Sequence, residues 1–310
     1  MSDSQGWERD LLAKISLQSL KEQRAERRLR YIFRFFVLAY IAAAFYFAYQ
    51  RGQAVFAEIT EPHVAVVAID GTIASDKVNA AVVVKPLERA AENEAVKAVL
   101  LKINSPGGSP VQSGVIYDEI KRIKSEHPEL PILAVVEDIA ASGGYYIAAA
   151  ADEIVADKAS VVGSIGVRSG SFGFTGTMEM LGVERRLITS GENKALLDPF
   201  SPQNQAEVEH FRTVVGSIHE QFIDAVKAGR GERLLDDPAI FSGLVWTGEQ
   251  GLELGLVDSL GSVYSLARER FDDVAVKTYE PPKSLIEQVS SQLGVALLAP
   301  LESLLGVRWL

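Results

Sequence analysis

Asp138-Ile139-Ala140-Ala141-Ser142-Gly143-Gly144-Tyr145-Tyr146-Ile147-Ala148 is the stretch that decides how this chain folds. The apolar run before it, Ile132 to Val136, reads as a buried strand. The run breaks at small residues and a helical pattern starts at Gly143, so Ser142 falls on a strand-to-helix turn, where nucleophilic serines often sit. Two glycines allow close backbone approach, and amides at a helix start can hold developing negative charge. The stretch departs from the G-x-S-x-G elbow, because Ala140 stands where the first glycine would be. Taken alone, it reads first as a tight turn with a capping serine.

Working outward, strands alternate with helices. His63 to Ile69 and Val96 to Ile103 read as buried strands, with helices expected at Val83–Asn93 and Val111–Ser125. Beyond Ser142, strands are expected at 153–157, 161–167 and 184–189, and helices at 175–181 and 203–227. The last of these carries Val208, Phe211, Val215, Ile218, Phe222 and Val226 at spacings of three or four. A short helix and turn follow over 246–258. The class is therefore α/β.

The N-terminal part has a different character. Residues 1–30 hold seven Lys/Arg and five Asp/Glu, most of the positive charge lying late. Residues 31–49 are apolar and aromatic apart from Arg34; as a helix they would extend about 28 Å, close to a bilayer core of ~30 Å. Arg34 lies one turn in, where it can snorkel, and Tyr31, Tyr46 and Tyr49 suit the interfaces. A transmembrane helix is predicted there. The positive charge before it places the N-terminus in the cytoplasm and the remainder across the membrane. Residues 50–61 read as a linker, 62–280 as the main domain, and 281–310 as an apolar helical segment divided by Pro300. That last segment suits either subunit contacts or an interfacial helix on the membrane.

Composition closes off several functions. A net charge of -10 argues against nucleic acid as a partner. With no cysteine there is no disulfide and no cysteine metal site, and no cluster of ligand-type residues suggests a metal or another cofactor. A serine nucleophile needs a base. His63, His127, His210 and His219 lie at a strand start, in a polar loop and on the long helix, where packing or surface roles suffice. Lys194 sits in the loop Ser190-Gly191-Glu192-Asn193-Lys194 after an expected strand, so it is a candidate, although a solvated loop lysine would look the same. The loop Ser105-Pro106-Gly107-Gly108 also follows a strand, and its amides could face a substrate carbonyl.

Five motifs in order, N-S-P-G-G, D-I-A-A-S-G-G-Y-Y-I-A, V-G-S-I-G-V, S-G-x-x-K and T-G-E-Q-G-L-E-L-G-L-V-D, resemble the signal peptide peptidase A family over residues 60–275. The resemblance is to the short form of these membrane-anchored serine peptidases, and it implies a Clp protease/crotonase-like fold. It implies Ser142 as nucleophile, Lys194 as general base and Ser164 as the hydroxyl that orients the lysine amine. It further implies an oxyanion hole from the Gly107-Gly108 pair, either of which could donate, with Gly143 as a possible second donor. The related Clp protease uses a histidine downstream of its serine, and the corresponding neighbourhood here, Val161 to Arg168, contains none. Also implied are a closed homo-oligomer with sites shared between subunits, and remnant signal peptides or other apolar peptides as substrates at the extracytoplasmic membrane face. A crotonase-like acyl-CoA enzyme and a non-catalytic membrane scaffold of the same fold are the competing readings.

Overall fold

The computed structural model describes residues 27–43, 46, 60–271 and 274–281. The chain divides into two compact units, one of residues 1–58 with 283–310, the other Ile59–Pro282. In the first unit residues 27–43 are helical. Among the described residues no helix is long and apolar enough to cross a membrane. Of the span expected over 31–49, residues 44–45 and 47–49 lie outside the described ones, as do the leader up to residue 26, most of the linker, and the apolar segment from residue 282 onward.

The second unit is built on one sheet. Its central strands are β1 (His63–Asp70), β2 (Val96–Ser105) and β3 (Ile132–Ala141). All three are parallel, and β8 (Ala275–Thr278) extends the sheet beside β1. A parallel sheet is covered on both faces, so its strands read as continuous apolar runs rather than alternating ones. The alternation shows instead in where the side chains go. Ala65, Val67 and Ile69 enter the larger core with helices α1 (Ala80–Ala91) and α2 (Pro110–Glu126), while Val64 and Val66 enter a smaller one with Leu100, Leu133 and Leu266. Asn79 caps α1 and Ser109 caps α2, each side chain accepting a backbone amide of the first turn.

Strand β3 changes partners along its length. Leu133–Val136 pair with β4 (Glu153–Ala156), whereas Ile139–Ala141 pair with β5 (Val161–Gly163). Between the two pairings Glu137 and Asp138 are exposed. Strand β2 shifts register at the same level, so that Ser105 lies beside Ala140. The second half of β3 is therefore gripped on both sides up to Ser142, whose amide donates to Gly163 O at 2.8 Å. β6 (Val245–Thr247) runs antiparallel to β5, and β7 (Ser259–Leu260) pairs with β4.

Helix α3 (Gly143–Ala148) follows Ser142, α4 is Thr175–Leu181, and α5 runs from Gln205 to Arg230. The apolar stripe expected along α5 is buried only in its last part, at Phe222, Ala225 and Val226; Val208, Phe211, Val215 and Ile218 are half-covered. Its C-terminus is locked by Arg230, 1% exposed, which forms a bidentate pair with Asp258 (2.7 and 2.9 Å) and donates from Nε to Gly255 O at 2.8 Å. Burial opposes the Asp258 charge, but the Arg230 hydrogen bonds, the Ile154 amide and the Arg230 and Arg233 charges outweigh it and hold the carboxyl below its ordinary value. α6 (Gly248–Glu253), opened by a Thr247/Gln250 capping box, and α7 (Val263–Arg270) complete the unit.

One expected element does not form. Residues 184–189 have no strand structure and all are exposed. A strand exists by pairing with a neighbour, and among the described residues no strand pairs with this segment. The strand expected at 161–167 also ends early, at Gly163, where φ turns to +94°.

Candidate active site

Ser142 closes β3 with φ +51° and ψ -122°, a region that non-glycine residues seldom occupy. The turn is held by contacts on every side. A Cβ on Gly107 would lie 2.6 Å from Gly143 N and 2.8 Å from Ser142 Cβ; one on Gly143 would lie 2.4 Å from Ser113 Oγ. One on Gly144 would lie 2.7 Å from Ser105 O. The N-S-P-G-G loop and the S-G-G turn thus touch backbone to backbone, and only glycine permits that approach. Gly108, at φ +152°, lies against Ile73, with which it forms an isolated bridge.

These contacts separate the two loop glycines. The Gly107 amide donates to Ser105 Oγ at 3.1 Å, inside the loop. The Gly108 and Gly143 amides have no acceptor among the described residues, and a Cβ on Gly143 would lie 3.3 Å from Gly108 N. Two free donors therefore lie close together beside Ser142. Buried Ser113 covers Gly143, its hydroxyl donating to Ser109 O at 3.0 Å.

A cavity of about 810 Å³ opens here, and Ser142, Ser164, Gly107, Gly108 and Gly143 all line it. Ser164, at φ +52°, is fixed through its amide to Leu244 O at 2.7 Å. The apolar wall is made by Tyr146, Ile218 and Phe222, with the Tyr146 and Phe222 rings stacked at 4.9 Å. Burial, and then the Asp118 charge, push the Tyr146 hydroxyl above its ordinary pKa, so it stays neutral. α5 is brought to this wall by Gly229, where a Cβ would lie 1.9 Å from Ala149 O at the end of the α3 turn.

Lys194 does not line the cavity. It is exposed on a turn, its amide donating to Gly191 O at 3.2 Å, and its side chain makes no hydrogen bond or ion pair among the described residues. The histidines are otherwise engaged: His63 bonds Glu61 O and Tyr279 OH, and His219 bonds Ile165 O at 3.1 Å. His127 follows α2 and His210 is exposed on α5. Sequence reasoning missed Ser113, Ser242, Gly243 and Arg168 as parts of the site, and did not foresee that Ser105 Oγ accepts the Gly107 amide. Ser105 lies inside a motif already singled out, whereas the others are brought in by packing.

Comparison with known proteins agrees with this architecture. The Peptidase family S49 model matches residues 124–277, and the Clp protease model matches residues 55–161. A protein of Brucella melitensis named as the Na(+)/H(+) antiporter NhaA is 46% identical over 210 residues, 67% of this chain but 28% of that one. An Enterococcus faecium protein named for signal peptide peptidase SppA is 34% identical over 199 residues, 63% of this chain and 57% of its own. A Synechocystis protein named as a protease, slr0021, is 32% identical over 242 residues, 76% of this chain and 85% of its own. The chain thus spans only 28% of the Brucella protein and 57% of the Enterococcus one. Across the described α/β unit, from the strand that carries Ser142 to the turn at Asp258, it belongs to peptidase family S49, the signal peptide peptidase A family of serine peptidases.

Proposed function

We propose that this protein is a serine endopeptidase in which Ser142 attacks the scissile carbonyl and Lys194 is the general base. The observation that carries the reading is the strained Ser142 turn with two unengaged amides, Gly108 and Gly143, converging beside it. Such amides stabilise the oxyanion that forms as the carbonyl is attacked, because they point at the developing charge before the reaction begins. Gly108 rather than Gly107 is the loop donor, since the Gly107 amide is already committed to Ser105 Oγ.

Lysine serves as a base only when its pKa falls well below the ordinary ~10.4, which an apolar, desolvated position achieves by disfavouring the ammonium. Exposed Lys194 has no such position within one chain. The active assembly is a homo-oligomer, in which the partner subunit's Lys194 enters the Ser142 cavity and Ser164 Oγ orients its amine. The neutral amine takes the Ser142 proton during attack and returns one to the leaving amine. No cofactor or metal takes part in this scheme. Residues 31–49 anchor the chain in the cytoplasmic membrane with the N-terminus inside, and the cavity faces the extracytoplasmic side. Substrates are remnant signal peptides or other apolar peptides, which the Tyr146, Ile218 and Phe222 wall suits.

The test is peptidase activity of the full chain in detergent on an apolar peptide. Ser142→Ala and Lys194→Ala should each lower kcat/KM by roughly 10⁴-fold or more without changing oligomer size. Mixed and reassembled, the two inactive variants should regain part of the activity. A Lys194→Ala enzyme at wild-type rate would remove the lysine from the mechanism. A wild type inert on every peptide would favour a non-catalytic scaffold.

A further inference from the structure

Arg168 is the one charged residue among those lining the Ser142 cavity, in a chain whose net charge is -10. It makes no hydrogen bond or ion pair with any of the described residues, although the protein offers acidic groups in excess. The backbone beneath it is well fixed. Ser164 N is tied to Leu244 O, His219 Nε2 bonds Ile165 O, and a Cβ on Gly166 would lie 3.2 Å from Gly243 Cα. Arg168, itself exposed, follows this braced segment and lines a cavity whose other lining groups are neutral, Tyr146, Ile218 and Phe222 among them.

We infer that Arg168 sets a substrate preference, pairing with a carboxylate on the bound peptide close to the bond that Ser142 attacks. The inference rests on the peptidase reading of the cavity. A guanidinium is always charged and can meet a carboxylate through two parallel hydrogen bonds. Because Arg168 is exposed, water and salt screen the pairing, and its expected worth is modest. The carboxylate is either an Asp or Glu side chain flanking the scissile bond or the free C-terminus of a short peptide remnant.

The test uses the full chain in detergent and a matched peptide family: a neutral parent with an amidated end, versions with Glu scanned through the positions flanking the cleaved bond, and one with a free C-terminal carboxylate. The quantity read is the ratio of kcat/KM for each carboxylate peptide to that for the parent. Wild type should favour one class by roughly three- to ten-fold, with the preference falling as salt rises. The class favoured identifies the source of the carboxylate. Arg168→Gln should bring the ratio close to one, Arg168→Lys should keep part of it, and Arg168→Glu should shift preference to a Lys-substituted peptide. Equal ratios in wild type and Arg168→Gln would overturn the inference. So would a variant that moved only the pH profile, which would make Arg168 an influence on the base instead. If wild type cleaves no peptide at all, the peptidase reading fails first and takes this one with it.

Discussion

Between Ile132 and Ala151 most residues are buried, and the glycines at 143 and 144 meet other atoms at under 3 Å once a Cβ is added. Between Arg168 and Phe200 no hydrophobic residue is buried, and Gly170, Gly173, Gly176 and Gly182 face open space. Both stretches carry a residue that the family resemblance singles out, Ser142 in the first and Lys194 in the second. The first is preorganised by its own chain: two loops and two strand partners over-determine a backbone conformation that would otherwise relax. The second has an aromatic group, Phe172, Phe174 and Phe200, and the Arg185–Asp198 pair, but no place in the core. Within the single chain the two are not brought together: Ser142 lines the cavity and Lys194 does not.

The contrast can be broken most forcefully at Gly143. An alanine there drives its Cβ into Ser113 Oγ and displaces one of the two free amides, so activity should fall by roughly 10²- to 10³-fold in kcat. Gly176→Ala, in α4 of the exposed stretch, should leave kcat unchanged. Next in size is the lock behind the site. Arg230→Ala leaves the Asp258 carboxylate short of its main partner and should cost about 3 kcal/mol of unfolding free energy in a denaturant titration. Gly108→Ala combines a positive φ with a Cβ 2.0 Å from Ile73 O, and should cost about 2 kcal/mol.

The acid side of the stability profile gives a smaller effect. The Asp258 carboxyl titrates below its ordinary value of 3.8 in the folded chain, so its contribution is fully present above that value. The contribution is lost as pH falls below 3.8 through the depressed folded value. Melting temperature measured from pH 5 downward should therefore fall less steeply in Asp258→Asn than in wild type. The smallest change expected is a gain: Gly176→Ala should stabilise α4 by about 0.5–1 kcal/mol, because alanine loses less backbone freedom than glycine in a helix. A large loss there would mean that the exposed stretch is packed against something after all.

Much of the core was legible from patterns of one dimension. The strands at His63, Val96 and Ile132 and the helices around them are continuous apolar runs and periodic stripes, and such patterns depend only on local spacing. The strand-to-helix turn at Ser142 was legible for the same reason. The segment 184–189 was misjudged because a strand is not a local object, and its existence depends on a neighbour that sequence does not display. Helix α5 was placed correctly, yet its stripe overstated the burial of Val208 and Phe211, since periodicity gives a face without saying what covers it.

By itself, the sequence determined the central strands with the helices around them, the small residues at the two loops and the presence of both Ser142 and Lys194, all of which are properties of neighbouring residues along the chain. Only the tertiary structure decided that β3 changes partners before Ser142, that Ser105 takes the Gly107 amide and leaves Gly108 free, and that Arg168 lines the cavity. It also decided that Lys194 stays outside that cavity within one chain. Each of these turns on which backbone groups find partners across the fold, and that pairing is fixed by three-dimensional proximity, not by spacing along the chain.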